Sequence, residues 1–357
     1  MIYLDNAATS YPKPSTVIKA VSNAMVNFGA NPGRSGHTMA AKTAMQIFDT
    51  RESIASFFGV ENMENVSFTQ NCTYAINLCV KGFLKQGDHV IISDLEHNAV
   101  LRPIYSLAQK GIITFDVAKT YQNKEKTVKS FEDLIVKSTR LIICTHGSNV
   151  FGIKLPIYEI GGMAKKYGIY FLVDAAQTAG TVDIDIKNNI DFICMPGHKG
   201  LYGPSGTGVL IINCPDKVDS IIEGGTGSVS LQYEQPDFPP DKFESGTINT
   251  TGIIGLGAGI SFAKKIGCKN IHKKEMMLSR QFYHEVSNNP NVILYTEYCD
   301  QNLPVISFNI KGKTGEQTTA ELNARGFALR GGFHCSPLAH KKMQTEESGT
   351  ARVSFGY

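Results

Sequence analysis

The sequence lacks the features that mark several large classes of protein. No apolar run approaches the roughly 20 residues that span a membrane, and the first residues are unlike a signal peptide because no basic region precedes an apolar stretch. The formal net charge of the 357-residue chain is only +3, without a basic stripe for nucleic acid. We therefore expect a cytoplasmic protein that binds neither a membrane nor nucleic acid.

Metal and dinucleotide motifs are missing as well. The eight cysteines include no Cys-x-x-Cys pair and no zinc-ligand spacing, so no metal site is predicted. No strand-like segment leads into a Gly-x-Gly-x-x-Gly turn, which argues against a dinucleotide-binding oxidoreductase. Cys144 and other cysteines in apolar runs are interpreted as core residues. Cys335 differs, because its polar stretch also contains His334 and Arg330, where a reactive thiol is expected.

One lysine stands on a glycine-rich turn between two apolar runs. Residues 195–208 read Met-Pro-Gly-His-Lys-Gly-Leu-Tyr-Gly-Pro-Ser-Gly-Thr-Gly, with strand-like segments on both sides. In such a position the Lys199 amine can be desolvated, which lowers its pKa and lets it capture a carbonyl group as a Schiff base. Lys199 is therefore a candidate anchor for pyridoxal 5'-phosphate (PLP). The simpler alternative is a surface lysine.

Strand-like and helix-like segments alternate through the first two thirds of the chain. The sequence predicts strands at 65–69, 88–93, 140–145 and 170–174, and helices near 74–83, 100–109 and 157–167. This alternation predicts an α/β fold with a mostly parallel sheet, covered on both faces and binding ligands beyond the carboxyl ends of its strands. A helical stretch at roughly 261–288, followed by a few strands and a helix at 315–325, predicts a smaller α/β domain.

Polar residues follow the predicted strands. Asp174 could keep a pyridinium nitrogen protonated, Gln177 could reach the phenolic oxygen, and His97 could stack on the ring. The segment 71–73, Asn-Cys-Thr, opens a helix whose amides and hydroxyl suit a phosphate, and His198 adds a donor. Taken singly, these residues are more simply interpreted as turn formers, helix caps or structural histidines. Their coincidence at the strand ends of one sheet favours a cofactor site.

These residues belong to a longer series of motifs. The motifs are Tyr3–Ser10, Arg34-Ser35-Gly36-His37-Thr38, Thr69–Asn77, Glu96–Asn98, Ser148–Gly152, Val173–Gln177, Gly197–Lys199, Phe243–Thr250 and Arg330–Cys335. Through them the chain resembles the class V aminotransferases, which are PLP-dependent enzymes of fold type I, and within that family the branch of cysteine desulfurases and selenocysteine lyases. The resemblance implies a large sheet domain of the seven-stranded type, a smaller C-terminal domain, and a homodimer with active sites at the interface.

The resemblance also implies a division of the chain. Residues 1–15 would pack with the small domain, 16–260 would form the PLP-binding domain, and 261–357 the small domain. Relatives continue beyond the position of Tyr357 into a terminal helix, so we expect a small domain that is truncated or lacks this helix.

Pro196 stands where relatives usually carry a phosphate-binding serine. The polar loop 224–230 is longer than its counterpart in housekeeping desulfurases, which would alter substrate or acceptor access.

The same resemblance implies a role for each matching residue. It assigns PLP to Lys199, Asp174, Gln177, His97, Cys72, Thr73 and His198, with Thr247 reaching in from the neighbouring subunit. Lys199 and His97 would carry acid–base steps. Asn149 and Arg352 would bind the substrate carboxylate, since arginine suits a bidentate carboxylate pair. Arg330 would orient the active-site loop or a substrate group.

Cys335 would then accept sulfur. In a desulfurase an enzyme thiolate attacks the substrate sulfur, becomes a persulfide, and alanine is released. We therefore expect a cysteine desulfurase acting on L-cysteine or a related thiol or selenol amino acid, with a sulfur-acceptor protein as a partner. The same lysine, aspartate and histidine would serve a selenocysteine lyase, another C–S lyase or an aminotransferase, and these alternatives stay open. A non-catalytic scaffold is disfavoured because the chain retains all of the cofactor residues Lys199, Asp174, Gln177 and His97.

Overall fold

The structure, a computed structural model, describes residues 1–33 and 36–357, so Arg34 and Ser35 of the second motif lie outside the described residues. The strands are β1 (Ile2–Tyr3), β2 (Val66–Thr69), β3 (His89–Ser93), β4 (Thr114–Ala118), β5 (Thr139–Thr145), β6 (Tyr170–Asp174), β7 (Phe192–Pro196), β8 (Gly208–Ile212), β9 (Val292–Leu294), β10 (Val305–Ile310), β11 (Phe327–Ala328), β12 (Arg330–Gly332) and β13 (Thr350–Ser354). The helices are α1 (Ser15–Asn27), α2 (Thr38–Phe58), α3 (Cys72–Phe83), α4 (Asn98–Gln109), α5 (Lys124–Glu132), α6 (Ile157–Lys166), α7 (Thr250–Ile266), α8 (Cys268–Ser287), α9 (Gly315–Ala324) and α10 (Pro337–Lys342).

A seven-stranded sheet with the order β2-β8-β7-β6-β5-β3-β4 forms the centre of the large domain. Neighbouring strands from β4 to β7 are parallel, whereas β8 runs antiparallel to both β7 and β2. Strands β3, β7 and β8 are buried along their whole length, as expected where helices cover both faces. The prediction of a mostly parallel α/β sheet is confirmed.

Two apolar cores lie on opposite faces of this sheet. Since successive side chains of a strand point to opposite faces, β5 contributes to both cores. Ile142 and Cys144 pack in one core with residues of α2, α6 and α7. Leu141 and Ile143 pack in the other with residues of α3 and α4. The helices of the second core, α3 and α4, begin directly beside the carboxyl ends of β2 and β3, where the candidate site lies.

The small domain is built on a four-stranded sheet with the order β12-β13-β10-β9, whose paired strands are all antiparallel. The chain start joins it: β1 pairs in parallel with β11, and Asp5 forms a bridge with Ser354. No helix in the described ranges is both long and apolar enough to cross a membrane.

The structure adds detail to the sequence interpretation in three places. The sequence interpretation omits β4, whose mixture of exposed and partly buried residues weakens the signal of a strand at the sheet edge. The helical stretch predicted at 261–288 consists of two helices, because α7 and α8 meet at Gly267, whose φ of 86° interrupts the helix. The domain boundary predicted at residue 260 falls inside α7, which packs on α1 and α2.

Candidate active site

A cavity of about 220 Å³ opens at the carboxyl edge of the large sheet. Residues that end or follow β2, β3, β5, β6 and β7 meet there because parallel strands present their carboxyl ends at one edge. Of the residues predicted to bind the cofactor, all but Thr247 line the cavity: Cys72, Thr73, His97, Asp174, Gln177, His198 and Lys199. Asn149 and Pro196 line it as well. The fold therefore brings together residues that lie far apart in the sequence.

Lys199 is held by the chain start. Ser10 Oγ donates to the Lys199 carbonyl at 3.0 Å, and the preceding carbonyl of His198 accepts from Thr9 Oγ1 at 2.9 Å and from Lys13 Nζ at 2.6 Å. Burial, and next the positive charge of Arg352, lower the pKa of Lys199 to about 8. Its amine is therefore neutral in a substantial fraction of molecules near pH 8, as a Schiff-base lysine requires. The interpretation as a surface lysine is wrong.

Asp174 presents a buried carboxylate to the cavity, with 2 % of its surface exposed. Its Oδ1 accepts from the Ala176 amide at 2.9 Å and from the Cys72 thiol at 3.6 Å. Within the described residues, Oδ2 accepts no hydrogen bond. Burial raises the pKa of Asp174, since an ionised carboxylate without a partner is costly in a buried site. A protonated pyridine nitrogen would supply the missing donor, so this carboxylate fits PLP.

The start of α3 provides the donors that a phosphate needs. Asn71 caps the helix by accepting from the Tyr74 amide at 2.8 Å, so its interpretation as a cap is correct. The amides of Cys72 and Thr73 find no acceptor among the described residues and remain available at the helix N-terminus. His198 lies opposite, with Nδ1 at 3.1 Å from Thr9 Oγ1. Pro196 lines the cavity without an N–H or hydroxyl, so it donates nothing to a phosphate.

His97 caps a helix and also lines the cavity. Its Nδ1 accepts from the Ala99 amide at 3.0 Å and caps α4, which leaves the proton on Nε2. Burial, and next the charge of Lys199, lower the pKa of His97 to about 4. A neutral ring on the cavity wall is suited to stacking on an aromatic cofactor and to donating through Nε2. Gln177 also lines the cavity, and its Nε2 donates to the Ala7 carbonyl at 3.1 Å.

Cys335 lies on the loop between β12 and α10, with its side chain exposed. The loop is held in place: the Asn98 amide donates to the Cys335 carbonyl at 2.7 Å, and Ser336 Oγ donates to Asn149 Oδ1 at 2.6 Å. Asn149 Nδ2 in turn donates to the His334 carbonyl at 2.8 Å. His334 and Cys335 have φ values of 50° and 58°, a left-handed conformation that is uncommon for such residues. These contacts therefore determine where the thiol lies.

His334 is not the cationic neighbour of Cys335 that the sequence suggested. Its ring is buried, and its Nε2 donates to the Thr350 carbonyl at 3.0 Å. Burial, and next the charge of Arg352, hold the pKa of His334 far below its ordinary value. The imidazole is therefore neutral and supports the loop from inside.

The two residues predicted to bind the substrate carboxylate are already engaged. Asn149 uses both ends of its amide on the Cys335 loop. Arg352 is buried, with NH1 donating to the Asn149 carbonyl at 2.9 Å and NH2 pairing with Asp5 Oδ1 at 2.5 Å. The Arg352 Nε has no partner within the described residues. A substrate carboxylate would therefore bind at the Arg352 Nε or replace the Asp5 carboxylate. The sequence interpretation missed this pairing of Arg352 with Asp5.

Arg330 and Thr247 occupy different surroundings. Arg330 pairs with Arg352 across the ladder of β12 and β13, and within residues 1–33 and 36–357 its side chain forms no ion pair. Thr247 is exposed and does not line the cavity of its own chain, so its position in a neighbouring subunit's site stays a prediction. The polar loop 224–230 packs beside Thr247, since the Gly246 amide donates to the Gly225 carbonyl at 2.9 Å.

The likeness to known proteins extends over the whole chain. The family model described as aminotransferase class-V matches residues 2–357. The chain belongs to the class V aminotransferases. Members of this family and the cysteine desulfurases depend on PLP, and the cavity residues fit that cofactor. In the described part of the class V chain, no group of three His, Cys, Asp or Glu side chains could hold a metal ion.

Proteins similar to this class V enzyme are named cysteine desulfurases. A probable cysteine desulfurase of Methanothermobacter thermautotrophicus is 32% identical, covering 100% of this chain and 90% of the relative. A cysteine desulfurase of Haloferax volcanii is 29% identical over 99% of this chain and 85% of its own. The apo structure of a cysteine desulfurase from Thermococcus onnurineus superposes with a TM-score of 0.91 at 32% identity, covering 99% of this chain and 90% of that one.

Proposed function

We propose that this enzyme is a PLP-dependent cysteine desulfurase that converts L-cysteine to L-alanine and carries the sulfur as a persulfide on Cys335. The observation that carries the proposal is the exposed Cys335 thiol, held on an ordered loop beside the cavity that contains Lys199. The names of the relatives, at about 30% identity over nearly the whole chain, support the same reaction.

The residues of the cavity divide the work. When bound, PLP supplies an electron sink for negative charge that develops at the substrate Cα. Lys199 would hold it covalently, Asp174 would bind its pyridine nitrogen, and the amides at the start of α3 would bind its phosphate. Lys199, with a pKa of about 8, can accept and return a proton at Cα near neutral pH. His97 would cover the ring and exclude water from its face.

Cys335 would perform the sulfur transfer. Its thiolate attacks the substrate sulfur, so that an S–S bond forms while the substrate Cβ–S bond breaks. The electron pair of the broken bond stays on the carbon, and a proton completes alanine. The hydrogen bonds that the loop forms with Asn98 and Asn149 hold it against α4 and the cavity wall, which lowers the entropic cost of bringing the two sulfur atoms together.

We also propose a cytoplasmic homodimer. Leu231 and Tyr233 are 98% and 103% exposed on the segment that leads to Thr247, and exposed apolar side chains of this size are typical of an interaction surface. A second copy seated there would cover them and could bring Thr247 to the neighbouring cavity. The free cysteines of the structure, including the exposed Cys299 and Cys335, suit a reducing compartment.

A substrate panel tests the activity. The holoenzyme is incubated with cysteine, selenocysteine, cystine or alanine, its products are identified, and its mass is measured by light scattering. We expect alanine from cysteine, a persulfide mapped to Cys335, and about twice the 39.0 kDa chain mass. Pyruvate and ammonia would indicate a C–S lyase, and consumption of an added keto acid an aminotransferase. Release of selenium without comparable turnover of cysteine would indicate a selenocysteine lyase.

A further inference from the structure

A groove outside the cofactor cavity runs between α3 and α4 and has Cys335 in its wall. Its volume is about 400 Å³, within the range of sites that take small molecules. Thr73 and His97 line both the groove and the cavity, so the two spaces share a wall. The groove therefore gives a second molecule access to the Cys335 side chain from outside the cofactor cavity.

Two cations line this groove and remain unpaired. Lys81 projects from α3 and Arg102 from α4, both exposed. Neither forms an ion pair within the described part of the chain, whereas Lys85 and Lys342 do. No aspartate or glutamate lines the groove. The groove thus has positive charge on both walls and no carboxylate to neutralise it.

Neutral polar groups complete the lining. Asn77 and Thr73 lie on the α3 side, and Asn98 and Ser106 lie on the α4 side. Amide and hydroxyl groups beside cations are suited to carboxylate oxygens, which accept several hydrogen bonds at once. Such a lining matches a small, multiply charged anion better than an apolar side chain of a partner protein.

We propose that this groove binds a small acceptor thiol that carries carboxylates and takes the sulfur from Cys335. The inference rests on the desulfurase activity proposed above. The acceptor thiolate attacks the outer sulfur of the Cys335 persulfide and forms a new S–S bond. The bond between that sulfur and Cys335 Sγ breaks, and its electron pair returns to Sγ as a thiolate. The acceptor leaves as a persulfide, and no external oxidant or reductant is needed.

Mercaptosuccinate and 2-mercaptoethanol are the probes, because the first carries two carboxylates and the second none. Turnover of cysteine is measured against the concentration of each thiol, giving kcat/KM for the acceptor. The wild-type enzyme is compared with the Lys81→Met/Arg102→Met double variant. For each thiol, kcat/KM of the variant is divided by kcat/KM of the wild type. This ratio cancels the intrinsic reactivity of the thiol.

We expect the double variant to lose at least about tenfold in kcat/KM for mercaptosuccinate, as two charge-assisted contacts at an exposed site would give. The value for 2-mercaptoethanol should change less than about twofold. Lys110→Met, at the end of α4 and outside the groove, is the matched control and should behave as wild type with both thiols.

Equal losses for both thiols, or no loss for either, would overturn the proposal and leave a protein as the acceptor. Failure of the underlying activity gives a different result, because then no thiol would support formation of alanine even in the wild-type enzyme.

Discussion

The carboxyl edge of the large sheet and the Cys335 loop, residues 333–336, control reactive groups by different physical means. At the sheet edge, burial shifts pKa values toward neutral forms, as for Lys199, His97 and Asp174. In the Cys335 loop the reactive thiol is exposed, and hydrogen bonds to Asn98 and Asn149 determine its position. The sheet edge thus sets the protonation states of its reactive groups, and the Cys335 loop sets the position of its thiol.

Two cysteines make this difference testable and give the largest expected effect. Cys72 is buried, its pKa is raised well above the ordinary value by burial, and its thiol donates to Asp174. We expect Cys335→Ser to lower alanine formation from cysteine by at least about 100-fold, because the nucleophile is lost. Cys72→Ser should lower it less than about tenfold, since a hydroxyl also donates to Asp174.

Exchange of the alanine Cα hydrogen in D₂O is the second readout for this pair. It depends on the sheet edge and not on the sulfur acceptor, so Cys335→Ser should retain it. Loss of this exchange in Cys335→Ser, or a larger loss of turnover in Cys72→Ser, would contradict the assignment of the two thiols.

A smaller effect should follow when the Cys335 loop is loosened. Ser336→Ala removes the hydrogen bond to Asn149 Oδ1, which is worth about 1 kcal/mol, or roughly fivefold. We expect cysteine turnover to fall by about that factor while exchange of the alanine Cα hydrogen stays unchanged. Ser261→Ala, which removes a serine hydrogen bond within α7, is the control. Parallel losses of turnover and exchange would show that the substitution disturbs the whole site.

The last effect is on stability at the sheet edge and leaves the catalytic groups in place. Glu96 is buried beside this edge, and its Oε1 accepts from the Thr145 amide at 2.7 Å and from the Ser93 hydroxyl, while Oε2 has no partner within the described residues. Burial raises its pKa from 4.5 to about 8. Between these pH values the folded protein binds an extra proton, so the free energy of unfolding decreases as the pH rises from 4.5 to about 8 and levels off at higher pH.

Glu96→Gln should therefore flatten the decline in stability between pH 6 and 8 by about 2–3 kcal/mol. The amide keeps an oxygen acceptor and cannot ionise. Urea unfolding at several pH values measures the effect, with exposed Glu297→Gln as the control. An unchanged pH dependence in Glu96→Gln would show that Glu96 does not govern it.

Several parts of the site could be predicted from the sequence because each depends on a short segment. Lys199 and His198 lie on one glycine-rich turn, and Asp174 ends an apolar strand. Parallel strands bring such segments to one edge whatever the details of packing. The pairing of Asp5 with Arg352 joins residues 347 positions apart, and no local pattern predicts such a contact.

The sequence by itself determined the alternation of buried strands and helices, the candidate cofactor residues, and the resemblance to class V aminotransferases. These properties follow from local periodicity and from motifs within single loops. Only the tertiary structure decided that His334 is buried and neutral, that Asn149 holds the Cys335 loop, and that unpaired cations line the adjoining groove. Burial and charge pairing depend on segments that meet only after the two domains have formed, so the sequence alone could not specify them.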